Sequence, residues 1–166
     1  MSIAYHAQEL LDTGVWVGNR EACVAALRDP DWAVINTSKL MHATLVGVPA
    51  NKLNKHQNYL RLEREGLLSF NWVDGEAKMY DWHKPEAFIC ALDFIDTWRP
   101  LRQVLISCDQ GGSRSPTVGL LYLAKRAQLI PSDSFAEARR EFVSIYPRYA
   151  PAGIANYVAR HWDEIS

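Results

Sequence analysis

The sequence predicts an α/β fold, a central and mostly parallel sheet flanked by helices. Three observations carry that expectation. The short apolar runs Val15-Trp16-Val17, Trp32-Ala33-Val34-Ile35 and Val104-Leu105-Ile106 read as strands, the second of them buried and the third fully apolar and β-branched, as central parallel strands are. Stretches with apolar residues three or four apart lie between and after them, as packed helices require. Gly, Pro, Asn or Asp punctuates the changes from one pattern to the other. Strands alternating with helices, then helices gathered at the end, argue for a sheet covered on both faces.

Val15-Trp16-Val17 ends at a Gly18-Asn19 turn, and Glu21 to Arg28 reads as a short helix stopped by Asp29-Pro30. Trp32 to Ile35 is a strand closed by polar Asn36-Thr37-Ser38. His42 to Ala50 has no clean period and is expected to be loop. Asn54 to Glu65 is polar and helix-compatible, and ends at Gly66, a natural helix-stop residue. Leu67 to Val73 reads as a strand stopped by Asp74-Gly75.

Pro85 suits the first turn of a helix whose stripe is Phe88, Leu92, Ile95 and Trp98. Glu86, Asp93 and Asp96 fall off that stripe, and Pro100 ends the helix. The strand Val104 to Ile106 runs into a loop, Cys108-Asp109-Gln110-Gly111-Gly112-Ser113-Arg114, and Ser115 to Ala127 is the next helix. Ser134-x-x-Glu137 is a capping box ahead of an apolar face of Phe135, Ala138, Phe142 and Ile145. A helix from about Ala152 to Glu164 closes the chain.

A chain of 166 residues is expected to form one domain, its core running from residue 13 to residue 165. Its mass implies a folded surface of roughly 8,300 Å², with about 70% of the unfolded surface buried. With 48% hydrophobic and 22% charged residues, the composition excludes disorder, collagen and a coiled-coil rod. Eighteen basic residues against nineteen acidic ones leave a net charge of −1, so nucleic acid is not an expected partner. The opening Met1-Ser2-Ile3-Ala4-Tyr5-His6 has no signal-peptide pattern, and no apolar run is long enough for a membrane span. Three cysteines without CxxC spacing fit neither a disulfide framework nor a zinc site, so a reducing, cytoplasmic setting is expected.

Chemistry concentrates in the loop at Cys108. A buried strand delivers Cys108 to the sheet edge, and a helix begins at the loop's far end. Gly111 and Gly112 let the backbone curl so that successive N–H groups point inward. Such a nest on the positive end of a helix binds a tetrahedral oxyanion, and the same field favours the thiolate of Cys108. Arg114 adds a planar fork of donors that can grip two phosphate oxygens. Ser115 can donate its hydroxyl to the sulfur.

Cys-x5-Arg followed by Ser115 resembles the signature of the cysteine-dependent protein tyrosine phosphatases, and Cys-x-x-Gly-x-x-Arg-Ser is most similar to their dual-specificity branch. Thr13 to Asn19 looks like that branch's opening strand, Trp32 to Thr37 like its second, and Phe88 to Ile95 like the helix before its catalytic loop. The resemblance covers the chain from Thr13 to its end. Two positions depart from the pattern. Ser107 stands where the family usually has His before the Cys, and Pro151-Ala152 where that branch often has Pro-Asn.

The resemblance implies a dual-specificity phosphatase-like fold and a two-step reaction without metal or other cofactor. Cys108 attacks phosphorus, an acid protonates the leaving oxygen, and water hydrolyses the phosphocysteine. Asp109, Gln110, Gly111, Gly112, Ser113 and Arg114 would form the phosphate loop. The acid should be an Asp on a loop before the Phe88 helix: Asp74, which follows a strand directly, with Asp81 as its rival. The expected substrate is a phosphorylated protein or small phosphomonoester. A singly phosphorylated one is favoured, because the loop interior has no Lys or further Arg and Asp109 brings the opposite sign.

Other features have plainer readings. Cys23 and Cys90 are expected in the core, and Arg139-Arg140 on a solvated helix face. His42, His56, His83 and His161 lack ligand spacing. Tyr80, Trp82 and His83 form an aromatic cluster, expected to pack in the core or to ring the pocket mouth. Two competing functions remain open: a phosphate-reading module without turnover, suggested by Ser107 and Ala152, and sulfur or arsenate chemistry on a similar loop.

Overall fold

A computed structural model describes residues 4–166, so Met1, Ser2 and Ile3 of the opening segment lie outside it. Six strands form one sheet: β1 (Ala7–Glu9), β2 (Val15–Gly18), β3 (Trp32–Asn36), β4 (Arg61–Arg64), β5 (Leu67–Phe70) and β6 (Gln103–Ser107). Their order is β1-β2-β6-β3-β5-β4. The inner four are parallel, while β1 and β4 pair antiparallel at the edges. The helices are α1 (Arg20–Leu27), α2 (Lys39–Val46), α3 (Lys84–Trp98), α4 (Arg114–Leu121), α5 (Phe135–Ile145) and α6 (Gly153–Arg160).

Strand periodicity divides the core. Ala33 and Ile35 of β3 and Val104 and Ile106 of β6 join the larger cluster, beneath α3 to α6. Val34 and Leu105, one residue out of phase, join Ala22, Cys23, Ala26 and Met41 of α1 and α2 on the other face. Burying each larger aliphatic side chain stabilises the fold by about 1.5–3 kcal/mol relative to leaving it in water. The total surface of 8352 Å² is close to the value expected from mass.

Local signals set the helix starts. The Asn19 side chain accepts the Ala22 N–H at 3.1 Å to open α1, and Ser134 accepts that of Glu137 at 3.2 Å to open α5. Residues 42–50, expected as loop, instead contain most of α2. Ser38 caps it by accepting the Met41 N–H at 3.3 Å, and Gly47 ends it with φ +87°. Its eight residues are too few to display a period, and packing of Met41, His42 and Ala43 holds them helical.

Residues 54–65, expected as helix, are a 3₁₀ turn at Ala50–Lys55 and then the edge strand β4. Pairing with β5 overrides helix propensity, and Gly66 (φ +72°) serves the hairpin turn between them. The charges of β4 suit a sheet edge. β5 stops at Phe70, short of the expected Val73, and β1 is a strand that the sequence reading did not include. The helix expected through Ala127 widens after Leu121 into a π-helical turn, Tyr122–Arg126, where the Ala127 N–H donates to Tyr122 O at 2.9 Å. No helix among the described residues is long and apolar enough to cross a membrane.

Candidate active site

The parallel strands all finish at one edge of the sheet, where open α/β sheets bind their ligands. In register, Ser107 at the end of β6 lies beside Gly18 of β2 and Asn36 of β3. Cys108 is therefore the first residue to leave the middle of the sheet. Its N–H donates to Gly18 O at 3.3 Å, and the Arg20 N–H donates to Asp109 O at 3.3 Å. These bonds tie the start of the loop to the β2–α1 turn.

The loop's shape is held from outside. Gly111 has φ +75°, where any other residue is strained, and a Cβ there would press on the Gly18 carbonyl at 3.2 Å. Gly111 O accepts the buried Tyr146 hydroxyl at 2.5 Å, and Gly112 O accepts the Ala150 N–H at 2.8 Å. Ser113 O accepts from Thr117 Oγ1 at 2.7 Å, while Ser113 Oγ accepts the Ala152 N–H at 2.9 Å. Among the described residues, the backbone N–H groups of Asp109 to Ser113 donate to no protein group. A row of free donors on a loop held through its carbonyls is what an anion nest requires.

Cys108 is 3% exposed, and its Sγ lies 3.1 Å from Ser115 Oγ. The Ser115 hydroxyl is also 3.2 Å from Gly18 O. Its single proton can go to sulfur when the thiolate is present, or to the carbonyl while a neutral thiol donates to Oγ. Arg114 is 4% exposed. Its Nη1 donates to Trp72 O at 2.8 Å and Thr37 O at 3.3 Å, and its Nη2 to Asp109 Oδ2 at 3.1 Å. Its Nε is buried and, among the described residues, has no hydrogen-bond partner.

Cys108, Arg114 and Asp74 share one cavity of about 350 Å³, with Asp109, Gln110, Gly112, Ser113, Arg148 and Ala150. Asp74 follows Trp72 and Val73 off the end of β5. The Tyr80 hydroxyl donates to Val73 O at 2.8 Å, and the Gly75 carbonyl accepts the Gly153 N–H at 3.0 Å. Asp81 does not line this cavity. It is exposed beyond the 3₁₀ turn Ala77–Tyr80, near Tyr157, whose hydroxyl is pushed up to about 12 by burial first and by neighbouring carboxylates including Asp81.

Arg148 escaped the sequence reading, which found no second cation inside the loop. It enters the cavity from the segment after α5, and no local spacing marks it. Tyr146 escaped as well. Since its proton goes to Gly111 O, His6 Nε2 must donate to the Tyr146 oxygen, at 3.0 Å. Burial first, then Arg148, lowers the His6 pKa and keeps the ring neutral.

The aromatic cluster divides. Tyr80 is in the core and His83 is partly buried, its Nε2–H donating to Asn71 O at 3.1 Å. Trp82 is 78% exposed and lines a separate cavity of about 760 Å³ with His56, Tyr59, Arg61 and Glu86, so it does not ring the Cys108 pocket. His42 is buried between Ser69 Oγ at 2.7 Å and Asn58 O at 2.8 Å. Cys23 is buried and its thiol pushed up to about 11, chiefly by burial, whereas Cys90 is only partly buried at the core margin. Among the described residues no group of three His, Cys, Asp or Glu could hold a metal ion.

No protein-family model matches the chain, and no curated protein does. Solved structures do match. DUSP15 has a TM-score of 0.60 at 16% identity, over 94% of this chain and 86% of that one. The Cydia pomonella PTP-2 phosphatase has 0.61 at 16%, over 95% and 89%. The human tyrosine phosphatase-like serine/threonine/tyrosine-interacting protein has 0.59 at 16%, over 95% of both chains. The fold is that of the dual-specificity and tyrosine phosphatases.

Proposed function

We propose that the chain is a phosphomonoester hydrolase of the protein tyrosine or dual-specificity type, acting through a phosphocysteine. One observation carries this: Cys108, its Sγ held 3.1 Å from Ser115 Oγ, shares a cavity with Arg114 and Asp74. In the first step the thiolate attacks phosphorus, the bond from phosphorus to the ester oxygen breaks, and Asp74 gives that oxygen its proton. In the second step the Asp74 carboxylate takes a proton from water, the water oxygen bonds to phosphorus, and the sulfur leaves as thiolate. Free loop N–H groups and Arg114 stabilise the equatorial oxygens throughout, and Ser115 can steady the departing thiolate. The substrate would be a phosphorylated protein or a small phosphomonoester, in a cytoplasmic setting.

A second reading, a phosphate-binding module without turnover, has one observation in its favour. Ser107 occupies the position before the nucleophile, and its hydroxyl donates to Ile35 O at 3.5 Å, a carbonyl of the neighbouring strand. A single comparison separates the two. Hydrolysis of phosphotyrosine, phosphoserine and phosphothreonine peptides should be lost in Cys108→Ser while peptide binding persists. Binding by the unaltered chain with no hydrolysis of any of them would favour the second reading.

A further inference from the structure

Asp109 follows the nucleophile in a loop otherwise built to attract negative charge, yet its side chain turns inward. Its Oδ2 lies 3.1 Å from Arg114 Nη2, and its Oδ1 accepts the Ser38 hydroxyl at 2.5 Å. Ser38 is itself fixed, capping α2 at Met41 and accepting the Asn36 side-chain amide on its carbonyl. The carboxylate is therefore clamped at both oxygens, with its side chain 30% exposed beside an Arg114 side chain 5% exposed.

A guanidinium has five N–H donors. In Arg114 the two on Nη1 go to Trp72 O and Thr37 O, and one on Nη2 goes to Asp109. The donors left over are Nε–H, buried without a partner, and the second N–H of Nη2. Nε and Nη2 lie along one edge of the planar group, spaced for two oxygens of a phosphate. Because the other oxygen of Asp109 is spent on Ser38, the carboxylate anchors the guanidinium at Nη2 and leaves the Nε–H for a ligand. It also sets a full negative charge beside any oxyanion the edge receives.

We propose that Asp109 is a positioning residue that acts through Arg114 as a built-in counter-anion. It fixes the plane of the guanidinium while weakening the loop's hold on the phosphate group, so that product and multiply charged ligands are released in preference to being retained. The inference rests on the phosphate-binding reading of this site. It also explains how Arg148 can share the cavity without turning it into a trap for polyanions: two acidic residues, Asp74 and Asp109, line it beside the two cations.

The test is the affinity of the whole chain for tungstate and for inorganic phosphate, measured by calorimetry and as competitive inhibition. Asp109→Asn keeps the shape and an oxygen acceptor for Arg114 but discards the charge. It should bind tungstate at least about tenfold more tightly, because like charges a few ångströms apart beside a buried guanidinium repel each other. Asp109→Glu keeps the charge and should stay within about threefold of the unaltered chain, on the same electrostatic ground. A residue needed only to brace the loop would instead weaken binding when replaced by Asn. Unchanged or weaker binding in Asp109→Asn overturns the proposal, and so does equal tightening in Asn and Glu variants that both melt as the unaltered chain does. Failure of the unaltered chain to bind tungstate at all would sink the phosphate-site reading itself.

Discussion

Gly153 packs its backbone directly against Gly75. Its N–H donates to Gly75 O at 3.0 Å, and a Cβ on Gly153 would stand 2.4 Å from that same oxygen and from Ala77 N. The first residue of α6 thereby holds the loop that carries Asp74 over the cavity of Cys108. Gly153→Ala must push the two segments apart, at a cost of about 1–3 kcal/mol typical of overpacking. We expect a lower melting temperature and slower hydrolysis of phosphotyrosine. A variant that melts and turns over normally would show that this contact does not position Asp74.

The two candidate acids separate by leaving group. A tyrosine phenol needs a proton as it leaves, whereas an activated fluorinated coumarin needs one far less. Asp74→Asn should slow phosphotyrosine hydrolysis by about 10²–10⁴-fold, the range for positioned proton transfer, and slow the activated ester much less. Asp81→Asn should have a small effect, equal for both substrates, because Asp81 lies outside the cavity. Strong leaving-group dependence in Asp81→Asn would reverse the assignment.

Arg114→Lys retains the charge but leaves the Trp72 and Thr37 carbonyls short of their donor. It also loses the free edge at Nε. Turnover should fall by about 10²–10³-fold, comparable to losing one oxyanion donor, with weaker tungstate binding. Near-normal rates in steady-state kinetics would show that charge alone suffices.

Tyr146→Phe removes the donor to Gly111 O and the acceptor for His6. A buried carbonyl left without its partner costs about 1–3 kcal/mol, so the denaturant midpoint should drop. Because the carbonyl belongs to the loop, vanadate inhibition should weaken in parallel. A stability loss with unchanged vanadate affinity would confine Tyr146 to a packing role.

Acid should destabilise the fold through His83. Burial lowers its pKa to about 4 in the folded chain, while the free side chain titrates near 6.5. The unfolded chain takes up the proton first. The stability is therefore complete above the free value, is lost as pH falls through this interval, and levels off once the folded side chain protonates. Melting temperature should decline between these two values, and His83→Gln should flatten the decline measured relative to neutral pH. A decline of the same steepness in that variant would place the proton uptake elsewhere, with His42, also lowered by burial, as the next candidate.

The sequence by itself determined whatever depends on neighbours in the chain. Cys108 and Arg114 belong to one seven-residue loop between a strand and a helix, so their spacing already placed both on one cavity. The buried runs of β2, β3 and β6 and the stripe of α3 were equally legible, because an unbroken apolar run and a 3.6-residue period are local properties. Tertiary structure decided the rest. Arg61–Arg64 became a strand because β5 offered it hydrogen bonds, and α2 became a helix because packing completed what Ser38 began. Asp109 turned inward because Ser38, far back in the chain, was there to receive it. Tyr146 and Arg148 reached the loop only when α5 folded over the sheet, and no period or spacing connects them to Cys108. Short-range patterns encode backbone shape and the loop that joins Cys108 to Arg114, whereas the direction of a charged side chain follows from partners that only the folded chain brings near.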